Sequence, residues 1–189
     1  NQLVILGLQA VAMYLLVLGA HSLRQRFGPG PFYALLGGIT AIMSWVTDAG
    51  LAVSAGGITF VVGSTVFYTS LLLGVFVIYV FDGPGPARTA ISTVLGVSIL
   101  MPVVAAVLHL QRGLGEGLGS MPIPSPDLRI NTASVLTTFV DLIFLGIAWE
   151  FLGKPKLHLG LWFRTWLTLL GVMWLDVLLL GTGAFAGTP

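Results

Sequence analysis

Three carboxylates, Asp48, Asp141 and Asp176, stand inside apolar runs long enough to cross a membrane. A charge at the bilayer centre costs about 2.5–3.5 kcal/mol on insertion scales, so acids placed there usually face a protein interior and serve a site. Asp141 is the nearest to mid-span, and Thr137 precedes it by one helical turn. Trp45 stands close to Asp48, and Trp174 close to Asp176. A carboxylate beside an aromatic plane suits a flat base that donates N–H groups. A guanine-like edge offers a ring N–H and an exocyclic amine to one carboxylate, while an indole stacks on the ring. A cation or a proton suits paired acids equally well. The candidate ligand-binding set is therefore Asp48, Asp141, Asp176, Trp45, Trp174 and Thr137, expected on the wall of one cavity that opens outward.

Each of these residues also has a plain structural reading. Asp48 lies near a helix end and can reach interfacial water. Asp176 can bond locally, and Trp45 and Trp174 fit the aromatic belt at a membrane surface. Glu150 and Arg164 lie near the ends of consecutive runs joined by a short loop, so an antiparallel hairpin puts them at matching depth as a structural ion pair. Asp82 and Arg88 flank Gly83-Pro84-Gly85-Pro86, where Asp82 is expected to pair with Arg88 or cap its helix. His109 and His21 are interfacial histidines, or axial ligands if a pigment or quinone is bound. No cofactor, metal or catalytic residue is assigned. The chain lacks HExxH, the nucleophile elbow and the dinucleotide fingerprint, and it reads as a non-enzyme.

Six runs must position these residues. They cover about 2–23, 32–53, 58–81, 87–110, 129–152 and 159–184, each near the 20 residues that a span requires. Gly-Pro clusters and charges separate them, and Gly56-Gly57 closes a short turn. Gly96 followed by Pro102 marks a kink in the fourth helix. The runs are continuous, whereas barrel strands would alternate over about 10 residues. The expected fold is an all-α polytopic helical bundle, a single transmembrane domain over residues 1–189. Composition agrees: 8% of the residues are charged against about 25% in soluble domains, and the mean hydropathy is +1.00. A net charge of +1 leaves no basic face for nucleic acid. The absence of cysteine excludes disulfides, thiolate metal sites and a thiol nucleophile. The first run, lacking a basic leader, reads as a mature span.

The stretch Phe76-Val77-Ile78-Tyr79-Val80-Phe81-Asp82-Gly83, followed by Ala87-Arg88 and a new apolar helix, resembles the vitamin uptake transporter family. Asp176-Val177-Leu178 through Gly183-Ala184-Phe185-Ala186-Gly187 is similar to that family's late Asp-containing helix. The resemblance implies six helices and transport of a queuosine precursor, a cyano- or aminomethyl-deazaguanine, in bacteria. The transporters carry an acid in their third span where this chain reads Leu71-Leu72-Leu73-Gly74-Val75. That difference favours a transmembrane sensor module of a signalling protein, which would need a further helix after Pro189 to reach a cytoplasmic effector. The functional expectation is a membrane carrier or embedded binding module for a small flat polar solute. Its alternatives are the sensor and a structural subunit of a larger membrane complex. The expected partners are the lipid bilayer, a small-molecule ligand and a homo-oligomer or larger complex.

Lys and Arg set the orientation expected in a bacterial inner membrane. Arg24, Arg26, Arg88, Lys154, Lys156 and Arg164 fall on one face, and Arg112 and Arg129 on the other. Loops 24–31, 82–88 and 153–158 should therefore be cytoplasmic, and loop 112–128 outside. A cysteine introduced at Ser120 is expected to react with an impermeant maleimide on intact cells. Labelling only after lysis would reverse the orientation.

Overall fold

The computed structural model describes residues 2–114, 128–154 and 158–185. Most of loop 112–128 and Lys156 lie outside the described residues. Among the described residues, six helices are long and apolar enough to span a membrane, as an all-α helical bundle requires. The chain forms two compact units, Asn1–Asp127 and Leu128–Pro189.

The first unit starts with α1, Gln2–Phe27, whose last turn carries Arg24 and Arg26 where cations complement the helix dipole. Gly28, with φ +79°, donates its N–H to the Arg24 carbonyl and stops the helix. Pro29 then leads into α2, Gly30–Asp48. One stripe of α2 is buried: Phe32, Leu36, Ile39, Thr40 and Met43, at helical spacing.

The sequence suggests helix through Val53 and again from Ile58, but the backbone between Asp48 and Gly63 is not helical. Gly50, with φ +66°, ends α2. A hairpin follows, with β1 at Ala52–Ala55 and β2 at Ile58–Val61. Its register pairs Ala52 with Val61 and Ala55 with Ile58. Gly56 and Gly57 both have positive φ, as a two-residue hairpin turn demands. The dipeptide was recognisable as a turn, and β-branched Val53, Ile58, Thr59 and Val61 make the flanking segments strands rather than helix ends.

A π-helical segment, Gly63–Tyr68, continues into α3, Thr69–Asp82. Gly63 sits against α2 so closely that a Cβ there would collide with the Thr47 hydroxyl. Helix α3 is apolar all round and buries Ser70, Leu71, Leu72, Gly74, Val75, Phe76, Val77 and Ile78, as expected of the central helix of a packed unit. One polar link to α1 is a relay: the Tyr14 hydroxyl lies 2.8 Å from Thr69 Oγ1, which donates to the Thr65 carbonyl. Gly83, with φ +86°, separates α3 from α4, Pro84–Leu114. Helix α4 has 31 residues and continues through Pro102. At 1.5 Å per residue it is about 46 Å long, more than a hydrocarbon core.

The second unit is an antiparallel pair, α5 at Leu128–Leu152 and α6 at Leu161–Phe185. Small residues let the two helices approach. A Cβ on Gly171 would lie 3.3 Å from the Phe144 ring, and one on Gly183 would lie 3.3 Å from the Ala133 Cβ.

Gly74 tests this packing. A Cβ there would come within 2.6 Å of Leu36 Cδ2 and 3.4 Å of Val17 Cγ1, and both side chains are fully buried. Gly74→Ala is expected to cost about 1–3 kcal/mol as overpacking. Gly19→Ala meets open space and should be neutral or slightly stabilising. Thermal melts of both variants in one detergent check the contrast, and equal melting temperatures would refute it.

Candidate functional site

Asp141 lies in α5 and has no exposed surface. It does not face lipid. Its neighbours on the same side of α5 are Thr137 and Thr138, one turn earlier, and Leu142, Leu145 and Trp149; all are buried. Across the helix pair, α6 buries Thr168 and Val172. Asp176 of α6, partly buried, forms a side-chain hydrogen bond with Asp141. Two carboxyl groups that meet inside a span can hold a proton between them, which would remove one of two costly charges.

The buried threonines are more local. Thr168 donates to the Arg164 carbonyl at 2.9 Å, a turn earlier on its own helix. Thr137 lies a turn from Asp141 with 4% exposure.

Asp48 and Trp45 belong to the first unit. Three residues apart on α2, they line one small pocket with Met101, Val104, Ala105 and Leu108 of α4. Its volume, about 30 Å³, admits a water molecule or so and no heterocycle. Asp48 is the last residue of α2, at the negative end of the helix dipole. The structure thus brings Asp141 to Asp176 and Asp48 to Trp45. It does not bring Trp174 beside Asp176: two residues apart on a helix they point in different directions, and Trp174 is 63% exposed.

Arg164 was expected opposite Glu150. Its described partner is the residue before it. Arg164 Nε donates to the Trp149 carbonyl at 2.9 Å, a second guanidinium nitrogen reaches the same oxygen, and the guanidinium carbon lies 3.5 Å from the centre of the Trp149 ring. Trp149 stands in the last turn of α5, and its carbonyl also accepts the Gly153 N–H, four residues on, at 3.1 Å. Arg164 therefore caps α5 with a cation at the favourable end. Gly153 has to be small here, because a Cβ would overlap the guanidinium. Glu150 is exposed on the next position.

Asp82 also departs from expectation. It turns away from Arg88 toward α1, forming an ion pair with Arg24 and meeting His21 Nε2 at 3.3 Å. His21 is 9% exposed and packs edge-on against Phe32, with ring centres 5.4 Å apart. The sequence held one clue: His21 and Arg24 lie three residues apart, on one face of α1 near the same membrane surface as Asp82.

Six candidate spans among the described residues, with two acids meeting between packed helices, define a polytopic membrane protein. The family model of the vitamin uptake-like sensors matches residues 13–189, and the chain belongs to that family. No match is found among curated proteins or among solved structures.

The Arg164 cap yields a coupled expectation. Arg164→Gln should lower stability by about 1–2 kcal/mol through loss of a partly buried helix-end cation. Gly153→Ala should act through the same contact, so the double variant should fall well short of the sum of the two losses. Additive shifts in melting temperature would show that Gly153 and Arg164 act separately.

Proposed function

We propose that this chain is a membrane-embedded sensor module that binds a small flat polar solute through the Asp141–Asp176 pair. The observation that carries this reading is a fully buried carboxyl group, hydrogen-bonded to a second acid on the packed partner helix, in the middle of an apolar span. A solute with two adjacent N–H donors can engage Asp141 while the proton stays on its partner. Thr137 adds a hydroxyl to the same wall. The deazaguanine queuosine precursors, with a ring N–H beside an exocyclic amine, are the ligands to test first. The family description supports sensing over carriage, and so does the acid-free third span at Leu71–Val75. A carrier for the same solute is the second reading, favoured by the resemblance to precursor transporters.

Other parts of the proposal concern placement and support. The membrane is a bacterial plasma membrane with loops 24–31, 82–88 and 153–158 facing the cytoplasm. Asp48 and Trp45 form a secondary contact within the first unit, opened from its present small pocket, and Trp174 is a belt aromatic or a stacking platform. Glu150 balances the Arg164 charge beside the Trp149 cap.

The test is binding of aminomethyl-deazaguanine to the purified chain in lipid nanodiscs, followed by intrinsic tryptophan fluorescence or calorimetry. Asp141→Asn preserves shape and removes the charge. It is expected to weaken binding by about 10–100-fold, the worth of a charged hydrogen bond, with little change in melting temperature. Unchanged affinity would sink the acid-pair reading. Counterflow uptake of the labelled solute in proteoliposomes would move the assignment from sensor to carrier.

A further inference from the structure

Where α1 and α3 meet the basic face of the protein, a shallow open pocket of about 190 Å³ is lined by His21, Ser22, Arg24, Gln25 and Phe81. It lies far along the sequence from the acids of the proposed ligand site and uses none of them. We propose that it binds a phosphate group, presented by an anionic phospholipid of the surrounding leaflet.

The donor inventory selects an anion. Arg24 brings five N–H groups and meets Asp82 through Nη1. Gln25 adds an exposed amide with two donors. Asp82 and His21 stand behind Arg24 as supports: the carboxylate fixes the guanidinium, and the imidazole at 3.3 Å fixes the carboxylate. A guanidinium held in this way loses less freedom when it grips a phosphate through two parallel hydrogen bonds. Ser22 gives its hydroxyl hydrogen to the Gly19 carbonyl at 2.7 Å, so it offers the pocket only lone pairs and is not counted among the donors. Arg26, two residues on, is not part of the lining and lies over the Phe27 ring, 5.6 Å from its centre.

Size and surroundings select the source. The pocket is smaller than the roughly 300–1,000 Å³ of ordinary small-molecule sites, so it suits a headgroup phosphate better than a nucleotide. Phe81, 71% exposed at its edge, offers an apolar surface for the glycerol and acyl portion. Basic pockets between spans on the cytoplasmic side commonly take anionic headgroups.

The experiment is native mass spectrometry of the full chain in detergent, titrated separately with phosphatidylglycerol, with a phosphate-free glucosyl diacylglycerol and with inorganic phosphate as competitor. Arg24→Lys keeps a positive charge opposite Asp82 but removes the planar fork. Gln25→Ala removes only the exposed amide. Saturable phosphatidylglycerol binding, weakened about fivefold or more in each variant, with little retention of the glycolipid, is the expected result. Displacement by millimolar inorganic phosphate would retain the phosphate site and assign it to the free ion. Equal retention of the glycolipid, or phosphatidylglycerol binding unchanged by Gln25→Ala, would overturn the proposal even if Arg24→Lys folds poorly. Deazaguanine binding is not expected to change in Gln25→Ala, so this result and that of the acid pair can be told apart.

Discussion

No water is available inside a bilayer, so every polar group in the spans has to find its partner within the protein. Hydroxyls meet that demand cheaply. Thr40 donates to the Leu36 carbonyl, Ser70 to Val66, Thr93 to Thr89 and Thr182 to Leu178, each one turn back on its own helix. A carboxylate cannot do the same, because it has no hydrogen to give to a carbonyl. It needs a donor from elsewhere or a proton of its own. The meeting of Asp141 with Asp176 answers that need, and it ties α5 and α6 together at the level where solvation is most expensive. The acids therefore differ in kind from the threonines around them. The threonines decorate a helix, while the acids require a partner helix.

Close helix approach is the second consequence of lipid as solvent. Burying apolar side chains gains little when the lipid is equally apolar, so tight packing has to hold the helices together. The contacts at Gly63 and Gly74 each place a neighbouring side chain where a Cβ would stand, and at Gly171 the Phe144 ring would lie 3.3 Å from one. At Gly74 that neighbour is Leu36, itself fully buried, so the fit is shared between α2 and α3.

Helix number, approximate limits and the exceptional status of Asp141 were legible because hydropathy is a property of composition over a long window. Pairwise geometry was not. The hairpin at Ala52–Val61 was missed because its residues are as apolar as a helix end; the Gly56-Gly57 pair held the signal, and it was read only as a turn. The π-helical segment at Gly63–Tyr68 has no compositional mark at all. Arg164 was matched to Glu150 by charge and depth, and its contacts with a backbone carbonyl and an indole face at Trp149 carried no signal in the sequence. Depth along a span can be counted from the sequence. The direction a side chain takes around the helix axis depends on its neighbours, and that is why Asp82 faces His21 and Arg24 rather than Arg88.

The two well-held arginines show what that difference means for charge. Arg24 is met by a carboxylate, which fixes its guanidinium and offsets part of its charge. Arg164 is met by a carbonyl and a ring, which engage its N–H groups and its flat face without opposing its charge. The first arrangement fixes a side chain and weakens its field at the rim. The second fixes one and keeps the field. A protein that relies on a surplus of positive charge at one surface for its orientation can bury the bodies of its arginines without losing that surplus, provided that some of them are held by dipoles rather than by acids. Trp149 supplies such a dipole at the end of α5.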